Sequence, residues 1–265
     1  MRAFPAVLPR AVVGVVALAT CASTTSAAIV KATADTQLNE INDSQASGGA
    51  ATSINSRTNG SANNEVMAFR FDLTSALGAT PISSITGATL TLINFRDNTA
   101  RTIEAYGVAD GTVGNDNNGQ TPGYDDNNWN ETGAPLRWST MPGLLYDANT
   151  ATAGIHGSAT NLGSFNLVTG TSLKATSNVF SGAAITTFLN AHPDTIVTIL
   201  VRSVNQSTGQ ARMATREATA LDGGSPTGAA GDFAAFLTFQ VPEPASASLL
   251  ALAGAAVLRR RRRCR

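Results

Sequence analysis

Oxygen-bearing side chains crowd one stretch of this chain, where Asp116, Asn118, Asp125 and Asp126 lie close together. Carboxylate and amide oxygens are the hard ligands that Ca²⁺ takes, and an exported protein meets millimolar Ca²⁺. The stretch fails as an EF-hand, because placing Gly119 at the sharp turn puts Gly114 at the first ligand position. Two expectations follow: a calcium site of another type, or a solvated loop built from the Asn, Asp and Gly that turns use anyway. Tyr124 and Trp129 flank the same loop. Aromatic faces stack on sugar rings while nearby Asn and Asp bond the hydroxyls, so the pair suits a lectin-like ligand site; Trp129 and Trp138 can equally be core anchors. Arg70 and Arg216 are further ligand candidates, since guanidinium forks match the carboxylates of acidic polysaccharides. Ion pairs with Asp72, Asp35 or Glu217 are the plainer alternative for them.

Enzyme signatures are missing from the sequence. His156 and His192 have no Cys, His or Glu at metal-ligand spacing and are expected at the surface. There is no G-x-S-x-G elbow, phosphate loop or H-E-x-x-H. A carboxylate pair for glycoside hydrolysis need not be close along the chain, but nothing singles out two acids. No catalytic residue is therefore assigned.

The elements that must position these residues read as strands. Met67, Phe69 and Phe71 alternate with Ala68 and Arg70, and Leu90 and Leu92 with Thr89 and Thr91. A third alternation runs from Phe233 through Ala235, Leu237 and Phe239 to Val241. Period two with one apolar face predicts half-buried antiparallel strands. Further strands are expected over residues 29–36, 101–109, 161–168, 195–203 and 210–217, with one short helix over 182–191 stopped by Pro193. Long polar loops are expected over 110–128 and 141–160, and no repeat or linker divides the region. The expected fold is all-β: one antiparallel β-sandwich of the jelly-roll type, with a pair of smaller sandwiches as the alternative.

Both ends carry addresses. Arg2 and Arg10, an apolar stretch over 11–19 and small residues over 20–28 read as a secretory signal peptide. Cleavage is expected after Ala27, with Thr25 and Ala27 at the two small positions the peptidase reads, or after Ala28 with Ser26 and Ala28 there. Leu18-Ala19-Thr20-Cys21 is a degraded lipoprotein box. At the other end, Pro242-Glu243-Pro244 precedes an apolar run over 245–258 and the cluster Arg259 to Arg263. As a helix the run is about 21 Å long against a hydrocarbon core of about 30 Å, so it spans only if arginines snorkel and the bilayer thins. The arginines place its end on the cytoplasmic side. The divisions are thus 1–27, 28–241 and 242–265.

Taking away both ends leaves ten Lys and Arg against seventeen Asp and Glu, a net charge near −7 for residues 28–241. The chain is neutral only because a basic tail offsets an acidic domain, which argues against nucleic-acid binding. Cys21 and Cys264 both lie in the end segments, so the domain must be held by its core alone.

The C-terminal order of motif, short apolar segment and basic stop resembles the PEP-CTERM sorting signal of bacterial surface proteins. The resemblance implies partners in a signal peptidase and an exosortase, transient insertion of the C-terminal helix in the inner membrane, and a mature form at the cell surface or in the extracellular matrix. A second set of residues covers most of 32–241: Ala34-Asp35-Thr36, Phe69-Arg70-Phe71-Asp72-Leu73, residues 85–92, Trp129-Asn130-Glu131-Thr132, residues 136–142 and Thr215-Arg216-Glu217. In this order they resemble DNRLRE-type β-sandwich domains, a family similar to alginate-type carbohydrate-binding modules. The Asn/Asp insertion before Trp129 departs from the compact pattern. Together the readings imply a non-catalytic protein that binds or associates with extracellular polysaccharide. A purely structural surface protein is the first alternative, and a carbohydrate-active enzyme such as a lyase the second.

Overall fold

The structure is a computed structural model that describes residues 25–40, 44–45, 51–58, 64–97, 100–109, 138, 141, 144, 159–167, 174–204 and 210–242. The chain divides into a compact unit of residues 25–242 and a second of 1–24 with 243–265. The second unit, with the expected C-terminal apolar helix, lies outside the described residues.

The domain is built from β1 (Thr25–Asn39), β2 (Ser44–Gln45), β3 (Ser53–Ser56), β4 (Glu65–Asp72), α1 (Thr74–Leu77), β5 (Thr86–Ile93) and β6 (Arg101–Val108). There follow β7 (Thr160–Leu167), β8 (Ser177–Ser181), α2 (Ala183–Ala191), β9 (Ile196–Ser203), β10 (Ala211–Ala214) and β11 (Phe236–Pro242). One antiparallel sheet runs β7-β6-β9-β4-β1-β11-β5-β8, with β2 beside β1, while β3 and β10 form a separate ribbon. The long strand β1 joins the halves: its start pairs with β11 and its later part with β4, with a shift in register between Ala32 and Ala34. A bulge there bends the strand and turns the sheet. Phe165 of β7 packs edge-on against Phe180 of β8 at 4.4 Å, so the outermost strands meet. The all-β antiparallel expectation holds, with the described strands in one nearly closed sheet and a separate ribbon.

Inside the curl, Met67, Phe69 and Phe71 of β4 pack with Leu90 and Leu92 of β5 and with Ile199 of β9. Ile54 and Met213 of the ribbon and Ile185, Phe188 and Leu189 of α2 cover the same core. Helix α2 approaches β6 at Gly107, where a Cβ would fall 2.5 Å from the Phe188 ring, so a side chain there would require that buried ring to move.

The outer face corrects the expectation of half-buried strands. Val66 and Ala68 of β4, Leu200 of β9, and Tyr106 and Val108 of β6 form a second apolar cluster beneath Trp138, Met141 and Leu144. Strand β4 is accordingly buried on both faces over most of its length. Met141 and Leu144, from a stretch expected to be a polar loop, supply part of the cover. Element bounds also differ. Strand β1 starts at Thr25, four residues before the expected start. Strand β11 starts at Phe236, because Phe233 precedes it in a turn. Strand β10 stops at Ala214, where the Arg216 N–H turns away to Asp35 Oδ2 at 2.9 Å. Strands β3 and β8 are not among the expected ones; with one and two apolar residues respectively they carry too little alternation to read.

Candidate binding surface

Of the residues singled out from the sequence, Asp116, Asn118, Tyr124, Asp125, Asp126, Trp129, Glu243 and Pro244 lie outside the described residues, and Ala27, Arg70, Arg216 and Pro242 lie within them. Arg70 projects from the outer face of β4, in phase with Val66 and Ala68, and its Nη1 lies 3.4 Å from Thr33 Oγ1. Asp72 beside it is held below the usual carboxylate range, first by hydrogen bonds from Thr74 and least by the Arg70 charge. Arg216 Nε lies 2.6 Å from Glu217 Oε1, the ion-pair arrangement, in the turn that Asp35 caps from the opposite face of the ladder. The two arginines therefore do not converge. Trp138 is 1% exposed in the outer-face cluster, where it acts as a core anchor. His192, expected at the surface, is buried behind α2, edge-on to Phe188 at 5.5 Å and with Nδ1 3.5 Å from Asp194.

A cluster that the sequence did not reveal gathers at one edge of the ribbon. Glu65 opens β4 and is 4% exposed. Its carboxylate accepts from Arg57 Nη2 at 3.2 Å and from Gln210 Nε2 at 2.9 and 3.3 Å. Burial raises its pKa, and the charges of Arg57 and Arg212 and the Gln210 hydrogen bond oppose that rise without cancelling it. Arg57 pairs through its backbone with Glu65, while among the described residues its buried Nε has no hydrogen-bond partner. Arg212 Nε donates to Asn55 Oδ1 at 2.8 Å across the ribbon, and Arg96 Nη2 donates to the Gln210 carbonyl at 3.2 Å. Arg101, at the start of β6, is 4% exposed. Burial and then the Arg96 charge push the pKa of both Arg101 and Arg212 down.

Arg96 lies close enough to both Arg101 and Arg212 for each to feel its charge. Arg57 and Arg212 act on Glu65, and Asp222 acts on Arg212. Within a domain that is acidic overall, several guanidinium groups thus lie near one another here, and guanidinium is the group that pairs with carboxylate and sulfate. Arg57, the Arg96–Arg101 stretch and Arg212 are far apart in the sequence and carry no motif, so no spacing announces them.

A second charged cluster on the outer face is balanced. Glu104 of β6 faces Arg202 of β9 in register. Arg202 Nε and Nη2 donate to Glu104 Oε2 at 3.1 and 3.0 Å, and Nη2 also donates to the Tyr106 hydroxyl at 3.1 Å. That hydroxyl donates in turn to Glu104 Oε2, and the guanidinium lies 5.3 Å from the Tyr106 ring centre. Burial, then the hydrogen bond to Glu104, pushes the Tyr106 pKa up. An open depression of about 510 Å³ between Gly87–Thr89, Ser181–Ala183 and α2 presents small neutral side chains. Among the described residues, no group of His, Cys, Asp and Glu is arranged to hold a metal ion.

The remaining functional residues sit at the end of the sheet. Strand β1 pairs with β11 from Thr25↔Pro242 and Ala27↔Gln240 through to Lys31↔Phe236. Residues 240–263 match the model of the PEP-CTERM protein-sorting motif. The chain carries a PEP-CTERM sorting motif. The motif indicates an exported protein that is anchored at its C-terminus and sorted by an exosortase, and its first residues, Gln240 to Pro242, belong to β11. A search of curated proteins finds no match.

Proposed function

We propose that the β domain of this PEP-CTERM protein is non-catalytic and associates with an anionic polysaccharide at the cell surface or in the extracellular matrix. The observation that supports the reading is the gathering of arginines along the ribbon edge. Arg57 and Arg212 act on the buried Glu65, and Arg96 acts on both Arg212 and Arg101, in a domain whose net charge is near −7. An anion bound there relieves the repulsion that Arg96 exerts on Arg101 and Arg212. The ordered motifs that resemble DNRLRE-type and alginate-type carbohydrate-binding domains favour the same class of ligand. Mature protein recovered from producing cells is expected to bind a polyuronate at low ionic strength, to release it with salt, and to bind a neutral glucan weakly or not at all. Equal failure on both polymers would favour the purely structural alternative.

The enzyme alternative rests on Tyr106, Glu104 and Arg202, which bring together the group types a lyase uses. With its pKa raised, Tyr106 keeps its proton at neutral pH, and its hydroxyl is engaged by Glu104, so the trio suits a structural tie better than a general base. Calcium at Asp116, Asn118, Asp125 and Asp126, with Tyr124 and Trp129 as sugar contacts, completes the proposal. Chelation is then expected to lower the melting midpoint, and an unmoved midpoint in millimolar Ca²⁺ would remove the metal from the proposal.

A further inference from the structure

We propose that removal of the N-terminal leader unlocks the C-terminal sorting motif, so that the two ends of the chain are processed in a set order. The proposal rests on the sorting motif and the expected leader cleavage, and is independent of polysaccharide binding. Its basis is the register of β1 on β11: Thr25 lies opposite Pro242, Ser26 opposite Val241, Ala27 opposite Gln240 and Ala28 opposite Phe239. The bond expected to be cut, Ala27–Ala28, therefore lies inside this ladder, and the strand it faces runs directly into Pro242-Glu243-Pro244.

Hydrolysis adds water across the Ala27–Ala28 amide, leaving a carboxylate on Ala27 and a new amino terminus on Ala28. Residues Thr25 to Ala27 then depart with the leader. On its other side β11 is in register with β5 only as far as Gln240↔Thr86. Among the described pairings, Val241 and Pro242 thereby lose their strand neighbours and Gln240 keeps one. The freed stretch of two residues is about 7 Å of extended chain. Val241 is then held by its buried side chain alone.

The consequence follows from how processing enzymes grip a peptide. They take it extended and use the backbone N–H and C=O groups that a sheet already occupies. A paired strand must first open, and the rate follows the open fraction. The second step breaks a peptide bond at or beyond the motif, its acyl group passing to water or an amine. With Thr25 to Ala27 in place, the approach to that bond is locked in a ladder; without them it is free. The order also suits export, because residues 25–27 emerge long before 240–242 and meet the signal peptidase while still unpaired.

The test follows both ends by intact mass in pulse-labelled producing cells. In wild type, loss of the leader is expected before loss of the arginine tail. The double variant Ala27→Val with Ala28→Val puts β-branched residues where the peptidase needs small ones while suiting a strand. Molecules of this variant that keep the leader are expected to retain the tail at least tenfold longer. Adding Ser26→Pro removes the N–H opposite Val241 and breaks the ladder, so tail removal is expected to recover although the leader stays attached. Tail loss at the wild-type rate from leader-bearing double variant would overturn the proposal. So would failure of Ser26→Pro to restore it, since the leader would then block the tail by some means other than the ladder.

Discussion

Arg202 and Arg212 each sit on a short antiparallel pair with a glutamate within reach, yet their surroundings differ in kind. Around Arg202 one guanidinium, one carboxylate and one phenol satisfy each other under the cover of Trp138. Around Arg212 charges of both signs act together: burial and Arg96 oppose its charge, Asp222 and Glu65 favour it, and the pKa of Glu65 is itself raised by burial. A partly buried charge with its counter-charge in place ties strands together. A run of neighbouring guanidinium groups offers a face that an external anion can engage. The difference separates a structural cluster from a ligand-seeking one, although both are built from the same residue types.

The comparison breaks most visibly at Trp138. Truncating a fully buried tryptophan to alanine costs about 3–5 kcal/mol, so Trp138→Ala is expected to lower the denaturant midpoint strongly, with the loss of near-ultraviolet signal from the outer face. A loss below about 1 kcal/mol would mean that the face over Tyr106 needs no cover. Next comes Arg202→Ala, where charge-assisted hydrogen bonds are worth about 1.5–3 kcal/mol. The lower end applies, because both side chains of the pair are 20% exposed and water screens them. This variant should lose stability and keep polyuronate binding.

Arg212→Ala should do the opposite. Relief of repulsion from Arg96 offsets the lost bond to Asn55, so stability is expected to stay within about 1 kcal/mol while affinity for a polyuronate falls about tenfold at low salt. A destabilised variant that binds normally would reverse the assignment of the two clusters. The smallest effect is a slope with pH. Because the folded pKa of Glu65 lies above its ordinary value of 4.5, its contribution is fully present below about pH 4.5 and is lost as pH rises through the folded value. Melting curves from pH 4 to pH 7 should therefore fall less steeply in Glu65→Gln than in wild type, and identical slopes would show that the acid is not penalised by burial.

Several elements are legible in the order of residues alone. The alternation at Met67, Phe69 and Phe71 is the core face of β4, and the strand expected over 195–203 is β9 within one residue. The helix stopped before Pro193 is α2. Arg216 pairs with its neighbour Glu217, one of the acids close enough along the chain to suggest it. The second buried face is not legible, because alternation records only which residues differ from their neighbours. Where Val66 and Ala68 are also apolar, nothing in the strand says what will cover them. Buried His192 escapes for a related reason: a histidine before a proline looks the same to the sequence whether or not Phe188 packs on it.

The sequence by itself determined what is read locally and in order along the chain. The sorting motif over 240–263 is such a signal, and so are the period-two strands, since enzymes and backbone geometry both respond to adjacent residues. Only the tertiary structure decided which distant segments meet. It set Thr25 opposite Pro242, brought Arg57 and Arg212 to Glu65 and Arg96 near Arg101, and packed β7 against β8. Such meetings depend on loop closure, register and the complementarity of whole faces. Those quantities are properties of the assembled sheet and have no counterpart in the spacing of residues along one strand.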